Sequence, residues 1–398
     1  MLTSLALIFL VGLIFAAICE KIRLPRIIGM IFTGIILGPY VLNLLDDSIL
    51  LISGDLRQLA LVIILIKAGL SLNLKDLKQV GRPSLLLSFL PASLEIVAYM
   101  IFAPIFFDIR LPEAAIIGAV LAAVSPAVVV PRMVTLMEEK YGTEKSIPQM
   151  ILAGASLDDI FVIVLFTTFL GIEESGTLNL TNLFDVPVSI ITGIVFGAIV
   201  GILMSKFFEY KHSHGNTIRN SVKVIIVLGV SFLLLAVEDL LENHLAFSGL
   251  LSIMSMSCAL ATKSSAPVRN RLSAKFGKLW LAAEIVLFVL VGAIVDIRYL
   301  KDTGLMAIGI ILLALVFRCA AVWLCMLGTK LNTKEKVFCM FSYMPKATVQ
   351  AAIGSVPLAM GLPCGNLVLS ISVLAIVITA PLGATLMDTT YKKLLEKN

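Results

Sequence analysis

Charge is what this sequence has least of. Only 14% of its 398 residues are Asp, Glu, Lys or Arg, while 59% are hydrophobic. Ordinary globular chains are roughly one quarter charged, so a water-soluble domain of this length is excluded. Mean hydropathy, at +1.03, agrees. The cysteines are few as well: Cys19, Cys258, Cys319, Cys325, Cys339 and Cys364 show no CxxC spacing and mostly fall inside apolar runs. Neither a disulfide framework nor a zinc site is indicated. No GxxxxGK[ST] string is present to bind a nucleotide for driven transport, and no TVGYG-like string to form a channel filter. The net charge of +5 comes from Lys and Arg spread through short loops. That distribution is a topology signal and does not point to nucleic acid.

What the sequence has instead is apolar stretches of roughly 17 to 25 residues, each long enough to cross hydrocarbon. They predict about thirteen helices, at 2–19, 27–43, 49–70, 84–107, 113–136, 147–171, 186–206, 221–238, 245–262, 279–297, 303–328, 335–359 and 366–389. None alternates apolar and polar residues as a membrane barrel strand does, and only helices then satisfy the backbone. The fold class expected is an all-α polytopic membrane protein. The run from Leu2 to Cys19 has no basic residues before it and reads as a retained span, since a signal peptide is shorter and positively led.

The loops alternate in charge. Lys21, Arg23 and Arg26 are followed by Asp46 and Asp47, then by Lys75, Lys78 and Arg82. Glu173, Glu174 and Asp185 stand in one later loop, and Glu238, Asp239 and Glu242 in another. The loops at 207–220 and 263–278 are basic, as is the end of the chain at Lys392, Lys393 and Lys397. The positive-inside rule then puts the C-terminus in the cytoplasm and the N-terminus outside. An odd span count with a central helix permits two six-helix halves of inverted topology, a common plan of secondary transporters.

Ionisable residues inside spans cost roughly 2.5 to 3.5 kcal/mol each on insertion scales, so each is a functional candidate. Glu95, Asp158, Asp159, Glu284, Arg318 and Lys346 are such residues. Asp158 and Asp159 are chain neighbours, about 100° apart on a helix, and two adjacent acids exceed what one structural bridge needs. Paired carboxylates can hold either a proton or a stripped hard cation such as Na⁺ or Li⁺. That is one site with two mutually exclusive ligands, which is all an exchanger requires. Glu95 and Arg318 read equally well as a structural bridge between two helices. Glu284 reads as packing or a cavity wall, and Asp296 lies near a helix end.

Two spans also carry breaks. Ser125, Pro126 and Pro131 lie within SPAVVVP, and Pro345, Thr348 and Gln350 within MPKATVQAAIGSVP. Proline removes a backbone donor and obstructs the preceding turn, so both spans are expected to break or kink near mid-membrane. They are the fifth helix of each half, the paired interruption that marks a transporter's binding site. Carbonyls freed there, and half-helix ends, are candidates to coordinate or repel ions.

At these residues the sequence resembles a known family. AAVSPAVVVPRM, GASLDDI and FSYMPKATVQAAIGSVPLA look like the cation–proton antiporter superfamily. The likeness is greatest to the sodium/proton exchanger branch that includes solute-carrier family nine, subfamily B. It runs from Lys67 in KAGLSL to ITAPLG at 378–383. The resemblance implies two crossed, broken helices, an elevator motion and a homodimer. It also implies a dimerisation side from 1–70 and 186–297 and an ion-binding core from 84–171 and 303–389. Asp159 would bind the ion and proton, with Asp158 as partner acid. Lys346 would offset the helix dipoles or the acids. Arg318 would pair with Glu95, on the helix where electrogenic members place a lysine that pairs with the first aspartate. An arginine cannot release a proton, so electroneutral exchange is expected.

The function expected is therefore Na⁺ or Li⁺ exchange for H⁺ by a transporter, not an enzyme, with no cofactor, nucleotide or nucleic acid. Its partners would be a second copy and the lipid bilayer. A bacterial cytoplasmic membrane is the expected location, by elimination. A K⁺/H⁺ antiporter or K⁺ efflux transporter stands as one alternative, and a sodium-coupled organic-anion symporter of similar architecture as another.

Overall fold

The computed structural model describes residues 1–22, 24–71, 81–175, 180–213, 218–241 and 247–397. Of the loop charges used for orientation, Arg23, Lys75, Lys78 and Glu242 lie outside these residues, as do the side chains of Glu174, Asp185 and Asp239.

The described residues are helical almost throughout. In chain order the helices are α1 Leu2–Lys21, α2 Arg26–Leu37, α3 Asp47–Leu51, α4 Ser53–Ser71, α5 Arg82–Leu87, α6 Leu90–Phe107, α7 Leu111–Ala122, α8 Pro126–Glu138 and α9 Ile147–Ser175. Then come α10 Leu180–Ser213, α11 Asn220–Leu241, α12 Gly249–Lys263, α13 Ala266–Ala293, α14 Ile297–Cys325, α15 Thr333–Ser342, α16 Thr348–Ile353, α17 Val356–Ala359 and α18 Gly365–Leu394. Among the described residues nine helical stretches are long and apolar enough to cross a membrane, and three shorter apolar helices accompany them. α4, which carries Asp55, Arg57 and Lys67, lies at the span expected at 49–70 and is not one of the nine. The all-helical, membrane-spanning fold class expected from sequence is the one observed.

The helix ends follow the local chemistry. Pro126 holds Ser125 in extended backbone, as a following proline does, and sits at the first helical position, where its missing donor costs nothing. α7 therefore stops at Ala122 and α8 begins at Pro126. Pro131, grouped with this break in the sequence, lies inside α8 instead, and the helix continues through it. The span expected at 335–359 divides into α15, α16 and α17, with Tyr343–Ala347 non-helical around Pro345. α15 starts on a capping box in which Asn332 and Glu335 each accept the other's backbone N–H, satisfying two of the amides a helix start leaves free.

The chain forms two compact units. One comprises Met1–Arg57, Lys75–Glu173 and Ile285–Asn398, and the other Gln58–Leu74 and Glu174–Glu284. In the second unit α10 lies closely along α12. Gly197 is required there, because a Cβ would strike the backbone of Ser252. The Ser252 hydroxyl, now within reach, donates to the Gly193 carbonyl at 2.9 Å. Small residues spaced by four allow this approach where lipid supplies no hydrophobic drive. In the first unit α6 packs on both α7 and α14, and α18 runs past α7, α8, α14, α15 and α16. Of the ionisable candidates, all but Glu284 belong to this first unit, as do the residues of both breaks.

Candidate functional site

The two breaks meet. The backbone N–H of Ser125 donates to the carbonyl of Pro345 at 2.8 Å, so the interruptions of α7–α8 and α15–α16 cross at mid-span. Gly383 of α18 lies so close to Pro345 that a Cβ there would strike its ring, and the Thr379 hydroxyl oxygen accepts from the Lys346 N–H at 3.0 Å.

The carbonyls at the end of α7 are engaged one after another. Lys346 Nζ donates to Leu121 O, Arg318 Nη1 to Ala122 O, and Gln350 Nε2 to Ala123 O, the last at 2.9 Å. The next amide, Val124 N–H, donates to Asp158 Oδ2 at 2.8 Å. Helix ends leave four carbonyls without intrahelical partners. Here three cationic or amide side chains supply donors, the fourth step being an acid on an amide. These carbonyls, open to ion coordination on sequence grounds, already carry protein donors.

Around that end lies a buried charge network. Arg318 donates from Nη1 to Glu95 Oε2 at 2.8 Å, from Nη2 to Asp158 Oδ2 at 3.1 Å, and from Nε to the Tyr343 carbonyl. Lys346 Nζ stands 2.6 Å from Glu95 Oε1. Glu95, Asp158, Arg318 and Lys346 are wholly buried and Asp159 nearly so. The expected Glu95–Arg318 pair is present, but Arg318 also reaches the first aspartate. A guanidinium has five donors in a planar fork, enough to serve both acids and two carbonyls.

Ser125 Oγ, Tyr343 Oη, Thr348 Oγ1 and Gln350 Oε1 at the breaks, and Asp158 Oδ1 and Asp159 Oδ1 on α9, are buried without a hydrogen-bond partner. Buried polar atoms are otherwise nearly always paired. Oxygen donors of this kind suit a hard monovalent cation or a proton. Glu284 belongs to the other unit. Sequence reasoning missed Tyr343, whose carbonyl holds Arg318, and Thr379, which holds the amide of Lys346. The only signal for either was adjacency to a break or to ITAPLG.

The chain belongs to the family described as "Sodium/hydrogen exchanger, transmembrane", whose sequence profile matches residues 5–390. Among its relatives is human sodium/hydrogen exchanger 9B2, 32% identical over 387 residues, covering 94% of this chain and 70% of that protein. Human sodium/hydrogen exchanger 9B1 is 32% identical over 419 residues, covering 100% and 79%. The fold is that of the solved sodium proton antiporter MjNhaP1 from Methanocaldococcus jannaschii at pH 8, with TM-score 0.86 and 22% identity over 99% of this chain and 98% of that one. The resemblance to solute-carrier family nine, subfamily B, is thus matched by relatives along nearly the whole chain.

Proposed function

We propose that this protein exchanges Na⁺ or Li⁺ for H⁺, with cation and proton competing for Asp158 and Asp159. The observation that carries it is the charge of the buried network. Three carboxylates, Glu95, Asp158 and Asp159, face two permanent or paired cations, Arg318 and Lys346, which leaves one formal negative charge inside the protein. An unpaired charge there costs several kcal/mol. One bound Na⁺ or one bound H⁺ removes it, and the two cannot bind together without restoring an imbalance. Both loaded forms are then neutral and the empty form is penalised, which is the coupling an antiporter needs. Family membership and the names of the 9B relatives support Na⁺ and H⁺ as the ions.

The cation's ligands are the unpartnered oxygens of Asp158, Asp159, Ser125, Thr348 and Gln350, and Lys346 and Arg318 hold the acids and the α7 end in place. Because Arg318 keeps its proton, exchange is electroneutral. The core formed by 84–171 and 303–389 carries the ion in an elevator motion against a dimerisation side from 1–70 and 186–297. The working unit is a homodimer in a cell membrane, with its basic loops and C-terminus cytoplasmic.

Proteoliposomes with an internal pH dye test this directly. Na⁺ or Li⁺ added under an imposed pH gradient moves protons in the wild type, and Asp159→Asn abolishes the movement. A response to K⁺ alone would replace Na⁺ as the substrate. Undiminished exchange in folded Asp159→Asn would remove the aspartates as the site.

A further inference from the structure

At the C-terminal end of the first unit lies a set of contacts that the ion site does not use. Arg132 on α8 grips Asp388 of α18, Nε to Oδ1 at 2.8 Å and Nη2 to Oδ2 at 2.9 Å. One turn further, the Tyr391 hydroxyl donates to Glu139 Oε2 at 3.0 Å, and the Tyr391 ring meets Tyr141 edge-on at 5.1 Å. Beyond α18 the chain turns back on the α8–α9 connection. The Gly142 N–H donates to the Glu396 carbonyl at 2.8 Å, and Tyr141 and Lys397 form an antiparallel bridge. Lys145 closes the set. Its Nζ donates to both carboxylate oxygens of Glu335, at 2.8 and 3.1 Å, and stands 3.5 Å from Glu396. Glu335 is the buried capping residue that starts α15.

Isolated surface ion pairs contribute little. This set differs in what it joins: the end of α8, the start of α9, the start of α15 and the end of α18. The connection 139–146 has Lys140, Gly142 and Ser146 in left-handed backbone, so it turns sharply and delivers the chain into α9, which carries both aspartates. α18 meets the second break at Thr379 and reaches Arg132 of the first broken helix at Asp388, about 13 Å further along at helical rise. One helix therefore touches both broken spans and ends in the contacts that tie their far ends together.

We propose that Asp388–Lys397, acting with Arg132 and Lys145, is a positioning clasp that holds the roots of α8, α9 and α15 in one register and thereby sets the affinity of the cation site. The proposal rests on Asp158 and Asp159 as that site. None of the clasp residues touches the ion; they act through the helices that carry its ligands. Opening the clasp therefore weakens cation binding more than it slows turnover.

The test uses the full chain in proteoliposomes. Apparent KM for Na⁺ and Vmax are measured for the wild type, Lys145→Gln, Asp388→Asn and Lys145→Arg, with hydrogen exchange followed across residues 139–146. The Gln and Asn variants are expected to raise KM about tenfold, within the range for residues that modulate a distant site without touching its ligand. Vmax stays within about twofold, and Lys145→Arg restores KM. An unchanged KM with a demonstrably loosened connection would overturn the clasp. So would a loss of Vmax or melting temperature with KM intact, since that is a purely structural role. Retained exchange in Asp159→Asn is a separate result: it would fault the site itself, whatever the clasp variants do.

Discussion

Asp158 and Asp159 are adjacent in the chain but do not share their partners. Asp158 Oδ2 accepts from Val124 N–H and from Arg318, at 2.8 and 3.1 Å, whereas Asp159 Oδ1 is buried with no hydrogen bond at all. The helical step of about 100° turns Asp158 toward Val124 and Arg318 and leaves Asp159 Oδ1 outside those contacts. Removing them is expected to differ in kind. Asp159→Asn loses exchange while keeping the fold, whereas Asp158→Asn also loosens Arg318 and lowers the melting temperature. Thermal unfolding in detergent beside transport separates the two.

Competition fixes the sign of the pH response. As pH falls, protons occupy the carboxylates that the cation needs, so the apparent KM for Na⁺ rises while Vmax is little changed. Between about pH 6 and about pH 9 the KM should fall steadily with rising pH, as for a carboxylate site shared by two ligands. A KM independent of pH over that range would contradict a single shared site.

Among the described residues, Glu95 is the one acid in ion pairs with both Arg318 and Lys346. Glu95→Gln leaves Lys346 without its carboxylate partner and should destabilise the protein by about 3–5 kcal/mol, as breaking one side of a buried pair does. The double variant Glu95→Gln with Lys346→Gln should recover much of the melting temperature without recovering exchange. If the single variant melts like the wild type, the network contributes little to stability.

Arg318→Lys tests stoichiometry. A lysine there can lose its proton where arginine cannot, so the variant should acquire a dependence on membrane potential that the wild type lacks. Exchange rates measured with the potential clamped at zero and at a negative value decide it. Identical behaviour of the two proteins would count against Arg318 as the element that fixes charge per cycle.

Gly154 of α9 offers a packing test away from the ion. A Cβ built there collides with the Tyr343 hydroxyl and with Leu87, so Gly154→Ala should cost about 1–3 kcal/mol as overpacking does. The Tyr343 hydroxyl is buried without a partner. Adding Tyr343→Phe should therefore return part of the loss in melting temperature.

Most of the architecture was legible from residue pattern. Apolar length gave the spans, and proline placed both breaks, because its consequences are local and hold in any surroundings. Pro131 shows the limit: a missing donor in one helix turn does not say whether neighbouring turns can carry the helix onward, and here they do. The acids and bases of the site were visible as charges in hydrocarbon. Their pairing was not, since whether Arg318 serves Glu95, Asp158 or both depends on how α6, α9 and α14 pack. Backbone partners such as Leu121 O and Tyr343 O leave no mark in side-chain identity at all. Arg132 and Asp388, more than two hundred residues apart, gave no signal either, because each reads alone as an ordinary charge near a helix end.

The occupied carbonyls at the end of α7 have a further consequence. A selectivity filter lined by main-chain oxygens is nearly the same whatever residues carry it, so single substitutions cannot easily retune it. On the proposed reading the donors to the ion are side chains: two aspartates, a serine, a threonine and a glutamine. Each is set by one codon. The preference among Na⁺, Li⁺ and K⁺ is then a heritable trait that one substitution at Ser125, Thr348 or Gln350 can shift, while the crossed backbone beneath stays as it is.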